Sequence, residues 1–93
     1  MTRYLTLIRF TGQGARKIRQ SPARALAFRK MARQAGVVVE TQFWTAGHCD
    51  GVLVLGGDEK DILRCLARLD AMGNVRTETM RAFDAKEFAA LVS

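Results

Sequence analysis

Ninety-three residues fit a single domain spanning residues 1–93, because independently folding units cluster near roughly 100–150 residues. With 48% hydrophobic and 26% charged residues the composition is globular, which excludes disorder or low complexity as an overall description. The net charge of +6 is unevenly spread: residues 1–39 hold nine basic side chains and no acid, residues 40–93 six basic and nine acidic ones. This asymmetry points either to an anionic partner for the basic N-terminal half or to solvated helix faces balanced in space. Apolar runs of a few residues fall far short of the ~20 that span a bilayer, and no basic-then-apolar leader opens the chain. The expectation is a small, basic, cytoplasmic domain with no membrane partner.

Residues 3–10 are rich in β-branched and aromatic types and stop at Thr11-Gly12, which predicts a strand. Alternation puts Tyr4, Thr6, Ile8 and Phe10 on one face and Leu5 and Leu7 on the other, so both faces are largely apolar. Thr11 to Ile18 has room for one short helical turn. Ser21-Pro22 marks a helix start, with Ser21 as the cap and proline at a tolerated position. Leu26, Phe28, Met31, Ala32 and Ala35 then recur at helical spacing, opposite Arg24, Arg29, Lys30 and Arg33, and Gly36 ends the helix.

Residues 37–45 open on three valines and predict a second strand. A glycine-bracketed turn, Ala46 to Gly51, joins it as a hairpin to Val52–Leu55, which is apolar on both faces. Asp58 caps a second helix with Glu59 and Asp61 in its first turn and a stripe of Ile62, Leu63, Leu66, Leu69 and Met72. Residues 75–82 alternate as a fourth strand, and Asp84 to Leu91 forms a short terminal helix.

The order β-α-β-β-α-β plus a final helix predicts an α+β, ferredoxin-like fold, a four-stranded antiparallel sheet with two helices on one face. Two helices cover one side of such a sheet, yet the first three strands are apolar on both. The uncovered face predicts a contact surface whose natural complement is the same face of a second chain, giving a homodimer or a higher oligomer.

Particular segments carry a family likeness: Phe10-Thr11 closing the first strand, Ser21-Pro22-Ala23-Arg24-Ala25, Gly47 to Asp50 before the third strand, and Gly73-Asn74-Val75-Arg76-Thr77-Glu78-Thr79 ahead of Arg81-Ala82-Phe83. Over residues 2–91 the chain resembles the GYD domain family. The resemblance implies a ferredoxin-like fold of the dimeric α+β barrel group and implies no particular activity. Cys49 stands where the name-giving motif has tyrosine.

Gly47-His48-Cys49-Asp50 packs an imidazole, a thiol and a carboxylate into one loop. In an extended segment His48 and Asp50 share a face and could form an acid/base pair, whereas Cys49 points away. Gly12-Gln13-Gly14 beside Arg16 and Lys17 could cradle a phosphate, although it lacks a P-loop ending. Tyr4, Phe10, Phe43 and Trp44, with Cys49, are candidate ligand-binding residues beside the sheet. An RNA platform on this fold needs aromatics on both central strands, and Val52–Leu55 offers none, which argues against nucleic acid. Cys49 and Cys65, 16 residues apart without a CxxC, form neither a disulfide framework nor a metal site, so no metal and no cofactor is expected. The reading that follows is a small-molecule binding or accessory module. The alternatives are a cofactor-free enzyme using His48 and Asp50, or a binder of an anion through the basic half.

Overall fold

The computed structural model describes residues 2–93. Strand β1 (Thr2–Phe10) runs into a short helix α1 (Gly12–Arg16) and a 3-10 turn (Ile18–Gln20) before helix α2 (Ser21–Gln34). Strands β2 (Val38–Trp44) and β3 (Gly51–Gly57) form the hairpin, followed by α3 (Glu59–Ala71), β4 (Val75–Ala82) and α4 (Ala85–Val92). The sheet order is β2-β3-β1-β4 with every pairing antiparallel, the ferredoxin-like arrangement. No helix among the described residues is long and apolar enough to cross a membrane.

The helix ends follow local chemistry. Asp58 accepts the Lys60 amide at 3.0 Å to start α3, and Asp84 and Glu87 form a reciprocal capping box on α4. Gly36 and Gly73, both at φ +80°, end α2 and α3 in the left-handed conformation that a side chain disfavours. Ser21 departs from its expected role. The N-cap of α2 is Gln20, without a side-chain bond, and the Ser21 hydroxyl instead accepts the indole N–H of Trp44 at 2.9 Å.

Phe28 and Ala32 from α2, Ile62, Cys65 and Leu66 from α3, and Val37, Leu53 and Leu55 make the buried core on the helix side. Tyr4 and Ile8 pack against it, and Thr6, fully buried, shares a hydroxyl–hydroxyl hydrogen bond of 3.0 Å with Thr79 across the strand pair. The stripes predicted for the helices are narrower than their sequences suggest: Leu26, at 54% exposure, and Leu63 and Met72 lie outside the core. Strand register places Leu5, Leu7, Val52, Val54, Phe43 and Met80 together on the opposite face, which α2 and α3 leave open. Phe43 is 64% exposed there.

Strand β2 contains a bulge. Val39 pairs with Leu55 and Thr41 with Val54, which leaves Glu40 as an extra residue. Its carboxylate is held by Arg3 Nε at 2.9 Å, and Arg3 also approaches Asp84 and Glu87 at the start of α4 at 3.7 Å. Helix α4 buries none of its residues and leaves Phe88, Leu91 and Val92 exposed.

The Gly12-Gln13-Gly14 segment is not a phosphate cradle, because its polar groups are committed to the turn between α3 and β4. Thr11 Oγ1 accepts the Gly14 amide and donates to the Gly73 carbonyl at 2.6 Å, while Gln13 Nε2 donates to Asn74 Oδ1 at 2.9 Å. Gly14 itself lies against backbone: a Cβ there would stand 1.9 Å from the Asn74 carbonyl oxygen. Gly14→Ala is therefore expected to destabilise the fold by about 3 kcal/mol, overpacking outweighing the ~1 kcal/mol helix-propensity gain. Urea unfolding of the two proteins checks this, and an unchanged midpoint would contradict the packing described.

Candidate functional site

Where β1 ends and β3 begins, the side chains under α2 become small. Gly51 sits opposite Ile8 on one side and Trp44 on the other, on the helix face of the sheet, and contributes no side chain. Helix α2 brings Ser21, Ala25 and Phe28 over this spot at four- and three-residue steps, two of them small. The space between them is a cavity of about 150 Å³, also bordered by Leu69 and Met72 of the α3 terminus and by Asn74 and Val75. That volume is of the order that accepts one benzene-sized body when the walls are carbon, as nearly all of them are here.

Few polar side chains reach this cavity. Trp44 points its indole N–H to Ser21, which fixes the ring as one wall of the cavity. Asp50 lines the cavity while its Oδ2 accepts the Phe10 amide at 2.8 Å, tying the β3 start to the β1 end. Arg24 lines it from α2 and donates through Nη1 to the Lys17 carbonyl at 3.0 Å.

The residues singled out in the sequence are only partly brought together. Phe10 and Trp44 border the cavity. Phe43 borders it from the strand, but alternation turns its ring to the open face. Tyr4 lies farther along β1, where its hydroxyl donates to Glu59 Oε1 at 2.8 Å and Arg81 sits 6.0 Å from its ring. His48 and Cys49 stay in the hairpin loop. The His48 Nε2 stands 2.6 Å from Arg9 Nη2, and since a guanidinium only donates, Nε2 accepts and the ring proton resides on Nδ1. His48 and Asp50 thus spend their hydrogen bonds on Arg9 and on the Phe10 amide, and not on each other.

Sequence reasoning missed Gly51, Ala25 and Arg24 as site residues. Gly51 reads as turn punctuation and Ala25 as helix filler; only the register that sets them face to face gives them a role.

The hydrogen bond to Glu59, more than burial, holds the Tyr4 phenol above its ordinary value near 10. Raised above the unfolded value, it contributes stability that is complete below about pH 10 and is lost as pH climbs through the folded value. Tyr4 is the sole tyrosine, so phenolate absorbance reports it alone. Its midpoint is expected above 10 in the folded protein and lower in Glu59→Gln; identical midpoints would contradict the bond.

Burial likewise pushes the Cys65 thiol up, and only 1% of the residue is exposed, whereas Cys49 is half-buried with its Sγ 3.5 Å from Thr45 Oγ1. Cys49 is expected to react with a thiol reagent at least tenfold faster than Cys65, since attack needs an accessible thiolate. Equal fast labelling of both in the folded state would exclude this packing.

A sequence model described as the GYD domain matches residues 4–92, nearly the whole chain. No curated protein matches. Among solved structures, the crystal structure of TTHA0845 from Thermus thermophilus is similar, with a TM-score of 0.56 and 24% identity over 91% of this chain and 96% of that one. At that identity the likeness concerns the fold.

Proposed function

The chain belongs to the GYD domain family, and from that premise we propose that it is a small-molecule binding module that works as a homodimer. The observation that carries the binding reading is the carbon-walled cavity under α2, kept open by Gly51 and Ala25 where larger residues would close the core. Ligand sites have this form, mostly apolar with a few placed polar groups, here Asp50, Arg24 and the Trp44–Ser21 pair. Binding is favoured over catalysis because His48 and Asp50 are engaged separately.

The open sheet face supports the dimer. Leu5, Leu7, Val52, Val54, Phe43 and Met80 come from all four strands, and the same face carries Arg3, Arg9 and Arg76 together with Glu78. A patch bearing both signs around an apolar centre can pair with itself across a two-fold axis, stacking two sheets about 10 Å apart.

Benzyl alcohol is the probe for the cavity. It is expected to quench or shift Trp44 fluorescence, and Gly51→Val and Ala25→Leu, which fill the cavity from opposite walls, should each weaken it at least tenfold. Saturable binding unchanged in both folded variants would exclude the cavity as the site. Sedimentation at micromolar concentration should give a dimer, and Leu7→Asp on the open face should dissociate it. A parent protein that sediments as a monomer would overturn the dimer.

A further inference from the structure

Strand β2 is an outer strand of the sheet, with β3 on one side and no strand on the other. Alternate backbone N–H and C=O groups along its outer side therefore point away from the sheet, the arrangement that accepts a further strand. The bulge at Glu40 interrupts this edge and leaves Thr41 to Trp44 as its regular stretch. On the helix side an open groove of about 230 Å³ runs between this stretch and α2, lined by Pro22, Ala25, Leu26, Arg29, Gln42 and Trp44. Leu26 is 54% exposed and, like Arg29, borders the groove but not the cavity. Helix α2 carries Arg24, Arg29, Lys30 and Arg33 and no acid. None of the four has a carboxylate partner, because every ion pair among the described residues belongs to Arg3. That charge decides what the edge can accept. Two β2 strands paired antiparallel about a two-fold axis would set both α2 helices on one face of the joined sheet, positive beside positive, which disfavours a second copy here.

We propose that this edge and groove dock an extended acidic peptide, which adds a strand along Thr41 to Trp44, seats an apolar side chain between Leu26 and Trp44, and sets a carboxylate on Arg29. In this mode main-chain hydrogen bonds to the edge supply affinity, and the groove reads alternate side chains. Residues two apart on a strand share a face, so the apolar residue and the acid are separated by one position. The guanidinium matches a carboxylate through charge-assisted hydrogen bonds. Arg29 is exposed, so that part of the binding is screened by salt. The cavity under α2 is a separate site, and neither reading requires the other.

The test is an NMR titration of the intact protein at low salt with the blocked heptapeptide Thr-Glu-Thr-Leu-Thr-Glu-Thr, which presents Leu with an acid two positions away in either chain direction. Its counterpart has Lys in place of both Glu. The acidic peptide should move the amide signals of Thr41 to Trp44 and the Trp44 indole, and should slow amide exchange in that stretch. It should bind about tenfold more tightly than the Lys peptide. Arg29→Gln should cut that preference about threefold or more. Leu26→Ser should weaken the acidic peptide about fivefold while leaving benzyl alcohol binding within about twofold, because Leu26 does not border the cavity. No shift at millimolar peptide, equal binding of the two peptides, or shifts confined to Leu5, Leu7 and Val52 on the open face would each overturn the docking site. Tighter binding of a thymidine oligonucleotide of equal charge would overturn it in favour of a phosphate backbone. Dissociation of a dimer by Leu26→Asp would give the groove to a second copy instead.

Discussion

Strand β1 is hydrogen-bonded along both edges, to β3 and to β4, and carries apolar side chains on both faces. Helices of 14 and 13 residues are roughly 20 Å long and lie over one face of a four-stranded sheet; they cannot wrap the other. The rest of the molecule follows from that shortfall. On the covered side Thr6, Leu53 and Leu55 are sealed beneath Phe28, Ile62 and Leu66. On the other, Leu5, Leu7 and Phe43 meet only their cross-strand neighbours, and Phe43 stays 64% exposed.

The cavity arises at the one end of the covered side where helix and sheet both offer small residues. Its sheet side includes Gly51, which has no side chain, beside Ile8 and Leu53, and residues of the turn after α3 border it. That turn is pinned by Thr11, Gln13 and Gly14, so the segment that looks like a phosphate loop acts as a clamp fixing the distance between the end of β1 and the start of β4. Packing is tightest at the clamp, where a Cβ on Gly14 would stand 1.9 Å from the Asn74 carbonyl oxygen, and eases only beyond the Gly51 backbone, which itself lies close enough that a Cβ would stand 3.1 Å from the Phe43 carbonyl oxygen. Interiors otherwise reach crystal-like density, which sets the ~150 Å³ cavity apart from ordinary core.

Element order was legible because most boundaries carry their own chemistry: Asp58 as a cap, Gly36 as a stop, the glycine-bracketed turn from Ala46 to Gly51, and apolar runs in β1 and β3. Much less of the site was legible. Reading Tyr4, Phe10, Phe43 and Trp44 as one group treats aromatic character as the determinant, whereas position on the sheet decides. Tyr4 lies well down β1 from Phe10, on Glu59, and Phe43 and Trp44 are neighbours that face opposite ways. Proximity in sequence likewise suggested a His48–Asp50 pair, but Arg9 and the Phe10 amide, both on β1, compete for those side chains across the hairpin. Long-range hydrogen bonds of this kind leave no periodic trace in the chain.

The bulge at Glu40 sets the reading frame of the strand that follows it. Upstream, Val39 faces the helices; downstream, Gln42 and Trp44 do, three and five residues on, a parity that an uninterrupted strand cannot keep. Were Glu40 drawn into the ladder, every residue from Thr41 to Trp44 would exchange faces. The indole would leave Ser21 for the open side, and the Phe43 ring would enter beneath α2, filling the space that now stays empty. The Arg3–Glu40 ion pair therefore helps choose between two frames of one strand. Length changes in β2 are consequently unequal: losing Glu40 would leave plain alternation with every face as it is, whereas losing Gln42 would turn Phe43 inward and Trp44 outward. The Trp44–Ser21 contact beside the cavity thus depends on the spacing between Val39 and Trp44 as much as on the identity of either.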